Sequence, residues 1–241
     1  MRILITNDDS VTAGQLLPLI RWCSKLGEVT TVVPRVEQSG KSHGIEIHKP
    51  FPFQKVQLAP DVTVTAVDST PADCVRFAVL GLQKEYDLVI SGINRGFNLG
   101  ADIMYSGTVA AVIEAVLLGI PAIAISTCPE YYEQAVGHLD QVFDFIQSKK
   151  LMDIHNIYNV NIPPQPKGIR FAHQGGPYYS DDFVLDENWM CHPMGKCVHE
   201  DSGDMTLDTD AVIGGYITIM PLTVNMTDMD VYKKLLCLHQ N

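Results

Sequence analysis

The chain has 241 residues, 46% of them hydrophobic and 8% aromatic, which is enough for a real core and excludes global disorder. Its 28 acidic residues outnumber 17 basic ones, for a net charge of −11, which argues against a general nucleic-acid or membrane-binding surface. An anion site on such a chain needs local compensation, and a metal ion is one answer. The opening Met1-Arg2-Ile3-Leu4-Ile5 is too short for a signal peptide, and the apolar segment 115–125 is broken by Gly119 and Pro121, below the ~20 residues of a membrane span. A soluble, cytoplasmic chain is expected. The six cysteines (23, 74, 128, 191, 197, 237) have no Cys-x-x-Cys spacing and read as free thiols. Cys191, His192, Cys197 and His199 fit no common zinc pattern.

In chain order, residues 2–6 form a buried first strand, with Asn7-Asp8-Asp9-Ser10 at its carboxyl end. Leu16, Ile20, Cys23 and Leu26 share a face, so a helix is predicted over 15–26, stopped by Gly27. Residues 28–33 are the second strand, followed by a polar loop that holds Ser39. Residues 45–49 and 62–67 alternate with period two and predict an antiparallel excursion, with turns at Pro50, Pro52 and Pro60. Thr70, Pro71 and Asp73 open a helix that runs to about Leu82. Residues 86–90 are a buried strand, and the glycine-rich 91–107 leads to a helix over about 108–118. A strand over 122–126, a long helix over 129–149 and a strand over 157–162 follow. This order predicts a mainly parallel sheet with helices on both faces. Residues 169–172 read as a short strand, 174–209 as irregular, 211–220 as a strand around Gly214-Gly215, and 227–238 as a terminal helix.

The chemistry concentrates at strand ends, where open α/β sheets gather ligands. Adjacent carboxylates at Asp8 and Asp9 are costly without a cation. Asp8, Asp9, Ser39 and Asn94 supply hard oxygen donors after three different strands, a set that favours Mg²⁺, Mn²⁺ or Ca²⁺ over zinc. The helix start at Ser106-Gly107-Thr108 offers free N–H groups and a positive dipole end to an anion. Neither a Walker loop nor Gly-x-Gly-x-x-Gly is present. Metal-assisted phosphate-ester hydrolysis is the reading of these residues. Asp8 or Asp9 would serve as metal ligand, as base toward a water, or as nucleophile. A non-catalytic, metal-dependent nucleotide or phosphate sensor is the alternative. A haloacid-dehalogenase-type site needs Asp-x-Asp, and here the pair is adjacent.

Asn7-Asp8-Asp9, Ser39-Gly40, and Ser91-Gly92-Ile93-Asn94-x-Gly96-x-Asn98-x-Gly100 leading to Tyr105-Ser106-Gly107-Thr108-Val109-Ala110-Ala111 resemble the SurE family of stationary-phase survival nucleotidases. Thr70-Pro71-x-Asp73-Cys74-Val75, Asn159-Val160-Asn161-Ile162-Pro163, Asp208-Thr209-Asp210, Gly215-Tyr216 and Pro221-Leu222 extend the match over most of the chain. The resemblance implies a Rossmann-like single domain over 1–241, with its core over about 1–170 and an oligomerisation extension over about 171–241. It implies one divalent ion, Mg²⁺ or Mn²⁺, on Asp8, Asp9, Ser39 and Asn94. Asn94, Asn98, Ser106, Gly107 and Thr108 would serve the phosphate of a nucleoside 5′-monophosphate, with 3′ attack left open. It also implies a homodimer or homotetramer with exchanged C-terminal segments. The family usually has Gly after the Asp pair; Ser10 stands there, and Ala13-Gly14-Gln15 replaces its Ala-Pro-Gly. A positive φ at Ser10 would cost roughly 1 kcal/mol.

Overall fold

The structure, a computed structural model, describes residues 1–238. Nine strands form one sheet in the order β3-β4-β2-β1-β5-β6-β7-β13-β8. Its centre is parallel: β1 (Arg2–Thr6) lies between β2 (Glu28–Pro34) and β5 (Leu88–Arg95), and β6 (Ala122–Thr127) and β7 (Ile157–Ile162) continue from β5. The chain winds outward in opposite directions on the two sides of β1, so the carboxyl end of β1 borders a switch point, the usual crevice for a ligand.

Alternation along the strands divides the core. Ile3 and Ile5 face one apolar cluster and Leu4 the other. Against the first pack α1 (Leu16–Cys23), a 3-10 helix over Pro129–His138 and α4 (Leu139–Ser148). Against the second pack α2 (Pro71–Arg76), which runs on as a π-helical turn over Phe77–Gly81, and α3 (Gly107–Leu117). The expected parallel α/β architecture with helices on both faces is what the fold shows.

Several elements differ from expectation for local reasons. The first helix ends at Cys23, and residues 24–26 close as a tighter turn, with Lys25 and Leu26 N–H bonding the carbonyls of Trp22 and Cys23. Residues 45–49 are not a strand. The N–H groups of His48 and Lys49 donate to the Glu46 carboxylate, and that of Glu46 to Asp73, so side chains satisfy the backbone there. The antiparallel partner of β4 (Val62–Val67) is β3 (Phe53–Ala59), an edge strand too exposed to carry an alternating pattern. The long helix predicted over 129–149 divides at His138 into the 3-10 stretch and α4, and a one-turn α5 (Leu151–Ile154) follows.

Beyond β8 (Ile169–Phe171), the irregular region contains four short strands. β9 (Tyr179–Ser180) pairs with β12 (Lys196–Cys197), and β10 (Phe183–Leu185) pairs with β11 (Cys191–Pro193). The strand predicted over 211–220 is half helix: α6 (Asp208–Ile213) ends at Gly214-Gly215, where Gly215 takes φ +87°, and β13 (Ile217–Pro221) then runs antiparallel to β7. The terminal helix α7 (Met229–Leu238) buries none of its residues. No helix among the described residues is long and apolar enough to cross a membrane.

Candidate active site

Three loops are stitched together at the carboxyl edge of the sheet. The Gln38 N–H donates to the Asp8 carbonyl at 2.8 Å, bringing the loop after β2 to the loop after β1. The Arg95 N–H donates to the Asp9 carboxylate at 2.9 Å, bringing in the end of β5. On the third side the Thr108 hydroxyl donates to Asp8 Oδ1 at 2.5 Å, fixing the start of α3 against Asp8. Ser39 and Asn94 each lie one residue from a stitch, Ser39 next to Gln38 and Asn94 next to Arg95.

The start of α3 is built to let Asp8 come close. Ser106 is extended and caps the helix, its Oγ accepting the Val109 N–H at 3.1 Å. Gly107 is the first helical residue. A Cβ there would stand 3.0 Å from Asp8 Cβ, 3.2 Å from Asp8 Oδ2 and 3.1 Å from Pro71 Cγ. Gly92 answers a similar need: it has φ +139°, and a Cβ would fall 2.3 Å from the Ile125 carbonyl oxygen of the neighbouring strand.

The electrostatics favour a cation. Asp8 is 3% exposed, and burial pushes its carboxyl above the usual carboxylate range, against the pull of Thr108. Burial, then the nearby Asp8, pushes Asp9 up to about 6. Among the described residues no Lys or Arg side chain forms an ion pair with either. The remaining donors present oxygen: Asn94 gives its amide nitrogen to the Gly96 carbonyl at 2.8 Å, leaving Oδ1 free of that bond, and Ser39 donates its proton to Glu37 at 2.6 Å, keeping its lone pairs. The buried Asn7 Oδ1 also lacks a partner. Two carboxylates short of positive charge, with neutral oxygens beside them, fit a hard divalent ion. No cluster of three or more His, Cys, Asp or Glu suited to a metal occurs among the described residues. This donor set has only two such members.

Asn98 sits deeper than the loop pattern implied. Its amide nitrogen donates to Ser126 at 2.7 Å, its own N–H donates to Asn161, and its carbonyl accepts from Asn159 and Asn161. Asn159 and Asn161 are fully buried on one face of β7, and their two-residue spacing was the available signal for this network. Asp208 was also missed as a support. Its carboxylate accepts from the N–H groups of Gly100, Gly175 and Thr209, tying the extension to the site loop. Ser10 takes φ +79°, the conformation that the Gly usual in the family would supply; its Oγ bonds the Thr12 hydroxyl at 2.9 Å. The Cys and His residues of the extension do not converge. Cys191 and Cys197 lie on different ribbons, His192 bonds Asp186, and His199 faces Asp210. Trp189 is 97% exposed at the tip between β10 and β11, and Tyr178 stacks on His199.

An α/β sheet with an acidic, oxygen-lined crevice beside a helix N-terminus defines a class of anion- and cation-binding proteins. Residues 3–181 match the family described as survival protein SurE. A protein named 5′-nucleotidase SurE from Thermosipho melanesiensis is 36% identical over 250 aligned positions, covering 98% of this chain and 96% of that one. Its namesake from Caldanaerobacter subterraneus is also 36% identical, covering 97% of this chain and 95% of its own. The crystal structure of the SurE protein from Aquifex aeolicus superposes with a TM-score of 0.80 at 30% identity, covering 99% of this chain and all of that one. The chain belongs to the SurE family.

Proposed function

We propose that this chain is a 5′-nucleotidase that hydrolyses nucleoside monophosphates with one divalent ion, Mg²⁺ or Mn²⁺, held by Asp8, Asp9, Ser39 and Asn94. The observation that carries this reading is the junction of Asp8 with the start of α3, where a buried carboxylate touches Thr108 at the helix N-terminus. The names of its relatives supply the substrate class. When bound, the ion would polarise a phosphoryl oxygen and offset developing negative charge. The N–H groups at Gly107 and Thr108, with the Ser106 hydroxyl, would orient the phosphate oxygens. Asn98 would hold the loop and lend its second amide proton. Asp8 or Asp9 would align the attacking water. Attack at 3′-monophosphates would use the same groups with the nucleoside turned.

The apolar side chains of α7 (Met229, Val231, Tyr232, Leu235, Leu236 and Leu238 are all exposed) support assembly of a homodimer or homotetramer through the extension. The domain is proposed as one unit over 1–241, working in the cytoplasm without a nucleic-acid or membrane partner.

The test is phosphate release from a panel of nucleoside monophosphates with Mg²⁺, Mn²⁺ or EDTA, on the wild type and on Asp8→Asn. Metal-dependent release, lost in Asp8→Asn, is expected. Nucleotide binding without release under any metal would refute the hydrolase and leave a sensor.

A further inference from the structure

Helix α3 carries one buried charge. Its apolar run is interrupted by Glu114, which is 5% exposed. A buried carboxylate needs partners, and Glu114 has two: Arg76 Nη1 on Oε1 at 2.9 Å and His43 Nε2 on Oε2 at 2.8 Å. The hydrogen bond from His43, then that from Arg76, overcomes burial and holds Glu114 below the usual carboxylate range, so it is the accepting partner of both.

The segment around His43 is fastened at four successive points. The Ser42 N–H and hydroxyl bond the carbonyls of Tyr105 and Met104, His43 bonds Glu114, the Thr70 hydroxyl donates to the Gly44 carbonyl, and the Glu46 N–H donates to Asp73. His43 is therefore held in place although its side chain is 31% exposed. Since Nε2 carries the proton given to Glu114, the atom left for a ligand is Nδ1, which has no partner among the described residues. That atom can hydrogen-bond a ligand, as acceptor in the neutral ring and as donor in the protonated one.

His43 lines a cavity of about 560 Å³, within the range of small-molecule sites. Ser106, which caps the helix end assigned to phosphate, lines the same cavity, and Val109, Ala110 and Ile113 continue its wall down α3. Of the residues assigned to metal and phosphate, Ser106 is the one that lines it, so the cavity and the phosphate end meet at that residue. Glu114 lies seven residues beyond the helix start at Gly107, about 10 Å at 1.5 Å per residue, which is the scale separating the phosphate of a nucleotide from its base.

We infer that the cavity along α3 receives the nucleoside of the substrate, with the apolar stripe packing the base and His43, oriented by Glu114, hydrogen-bonding the polar edge of the base through Nδ1. This rests on the nucleotidase reading. In it His43 is a specificity residue that touches substrate, and Glu114 is a positioning residue that acts through His43.

The experiment compares kcat/KM for AMP, ribose 5-phosphate and an aryl phosphate in the wild type, His43→Ala, Glu114→Gln and the double variant, each first checked for folding by thermal melting. In His43→Ala the ratio of kcat/KM for AMP over that for ribose 5-phosphate is expected to fall about tenfold, chiefly through the KM for AMP. Glu114→Gln should shift the ratio the same way by less, and the double variant no further than His43→Ala. Equal losses on AMP and ribose 5-phosphate, or an unmoved ratio, would overturn the assignment, as would a cavity filled by an apolar segment of another copy, which leaves the ratio unmoved. A second readout does not depend on turnover or on Glu114→Gln folding. In ¹⁵N-imidazole spectra recorded with EDTA, AMP should move the His43 Nδ1 resonance and inorganic phosphate should not. Identical responses to both, or none, overturn the inference. If the wild type releases phosphate from none of the three substrates, the nucleotidase reading fails, and these spectra still decide whether His43 meets a nucleoside.

Discussion

Gly107→Ala is the most discriminating change at the site. The glycine is the first residue of α3, where alanine is the better helix former by up to about 1 kcal/mol. The added methyl would meet Asp8 Cβ at 3.0 Å, Pro71 Cγ at 3.1 Å and Asp8 Oδ2 at 3.2 Å, each closer than an ordinary van der Waals contact. Neither neighbour yields easily. Pro71 is buried at the start of α2, and Asp8 is bound to Thr108. Overpacking of this kind costs about 1–3 kcal/mol, so the helix gain offsets only part of it and the net loss is about 1–2 kcal/mol. The larger effect is geometric. Asp8 must move a few tenths of an ångström from the helix end, and small misplacements of reacting groups can cost up to about a hundredfold. Urea melts should therefore show a modest destabilisation, while phosphate release falls at least tenfold. Activity within twofold of wild type would refute the idea that contact between Asp8 and the helix start is required.

Three further predictions concern the charge and scaffold of the site. With metal removed, Asp9 has a folded-state value of about 6 against 3.8 unfolded, so between these values the folded state holds the extra proton. Its contribution then lowers stability as pH rises through that window, by an order of ~3 kcal/mol at most; urea melts in EDTA should show this slope in wild type and lose it in Asp9→Asn, and saturating Mn²⁺ should restore stability at pH 7.5. Asp208→Asn removes one of the two acceptor oxygens that hold the N–H groups of Gly100 and Gly175, and should cost about 1–3 kcal/mol in a urea melt. Ser10→Gly relieves a strained φ but loses the bond to Thr12, so its melting point should stay within a few degrees of wild type, whereas Ser10→Ala keeps the strain, loses the bond and should melt lower than both.

How much of this was legible depended on whether the information was local. The central strands were readable because short apolar runs bounded by glycine and proline leave few alternatives. The helix starts at Thr70 and Ser106 were readable because capping is a property of adjacent residues. The edge strand 53–59 was not, since one face meets solvent and its partner's register, rather than its own pattern, makes it a strand. Nor was α6, whose buried Asp208 and Asp210 read as loop residues until the structure supplies the N–H groups of Gly100, Gly175, Ser202 and Asp204 around them. At the site the same distinction holds. Oxygen donors after successive strands can be listed from order alone, but the bond from Thr108 to Asp8 spans a hundred residues.

Glu114 and Ser10 show why departures from pattern are worth following. A single acid in an apolar helix contradicts the local rule, and its compensation was found in Arg76 and His43 rather than in solvent. A serine at φ +79° contradicts the local rule too, and it directly follows the acidic pair. Ser10 adjoins the acidic pair, and Glu114 holds His43 at the cavity along α3; strain and buried charge are tolerated where they serve a ligand. The net charge of −11 poses the same problem on a larger scale. On an acidic chain a phosphate is best held where a cation and a helix N-terminus act together, and the start of α3 is where this fold sets a buried carboxylate against a helix N-terminus.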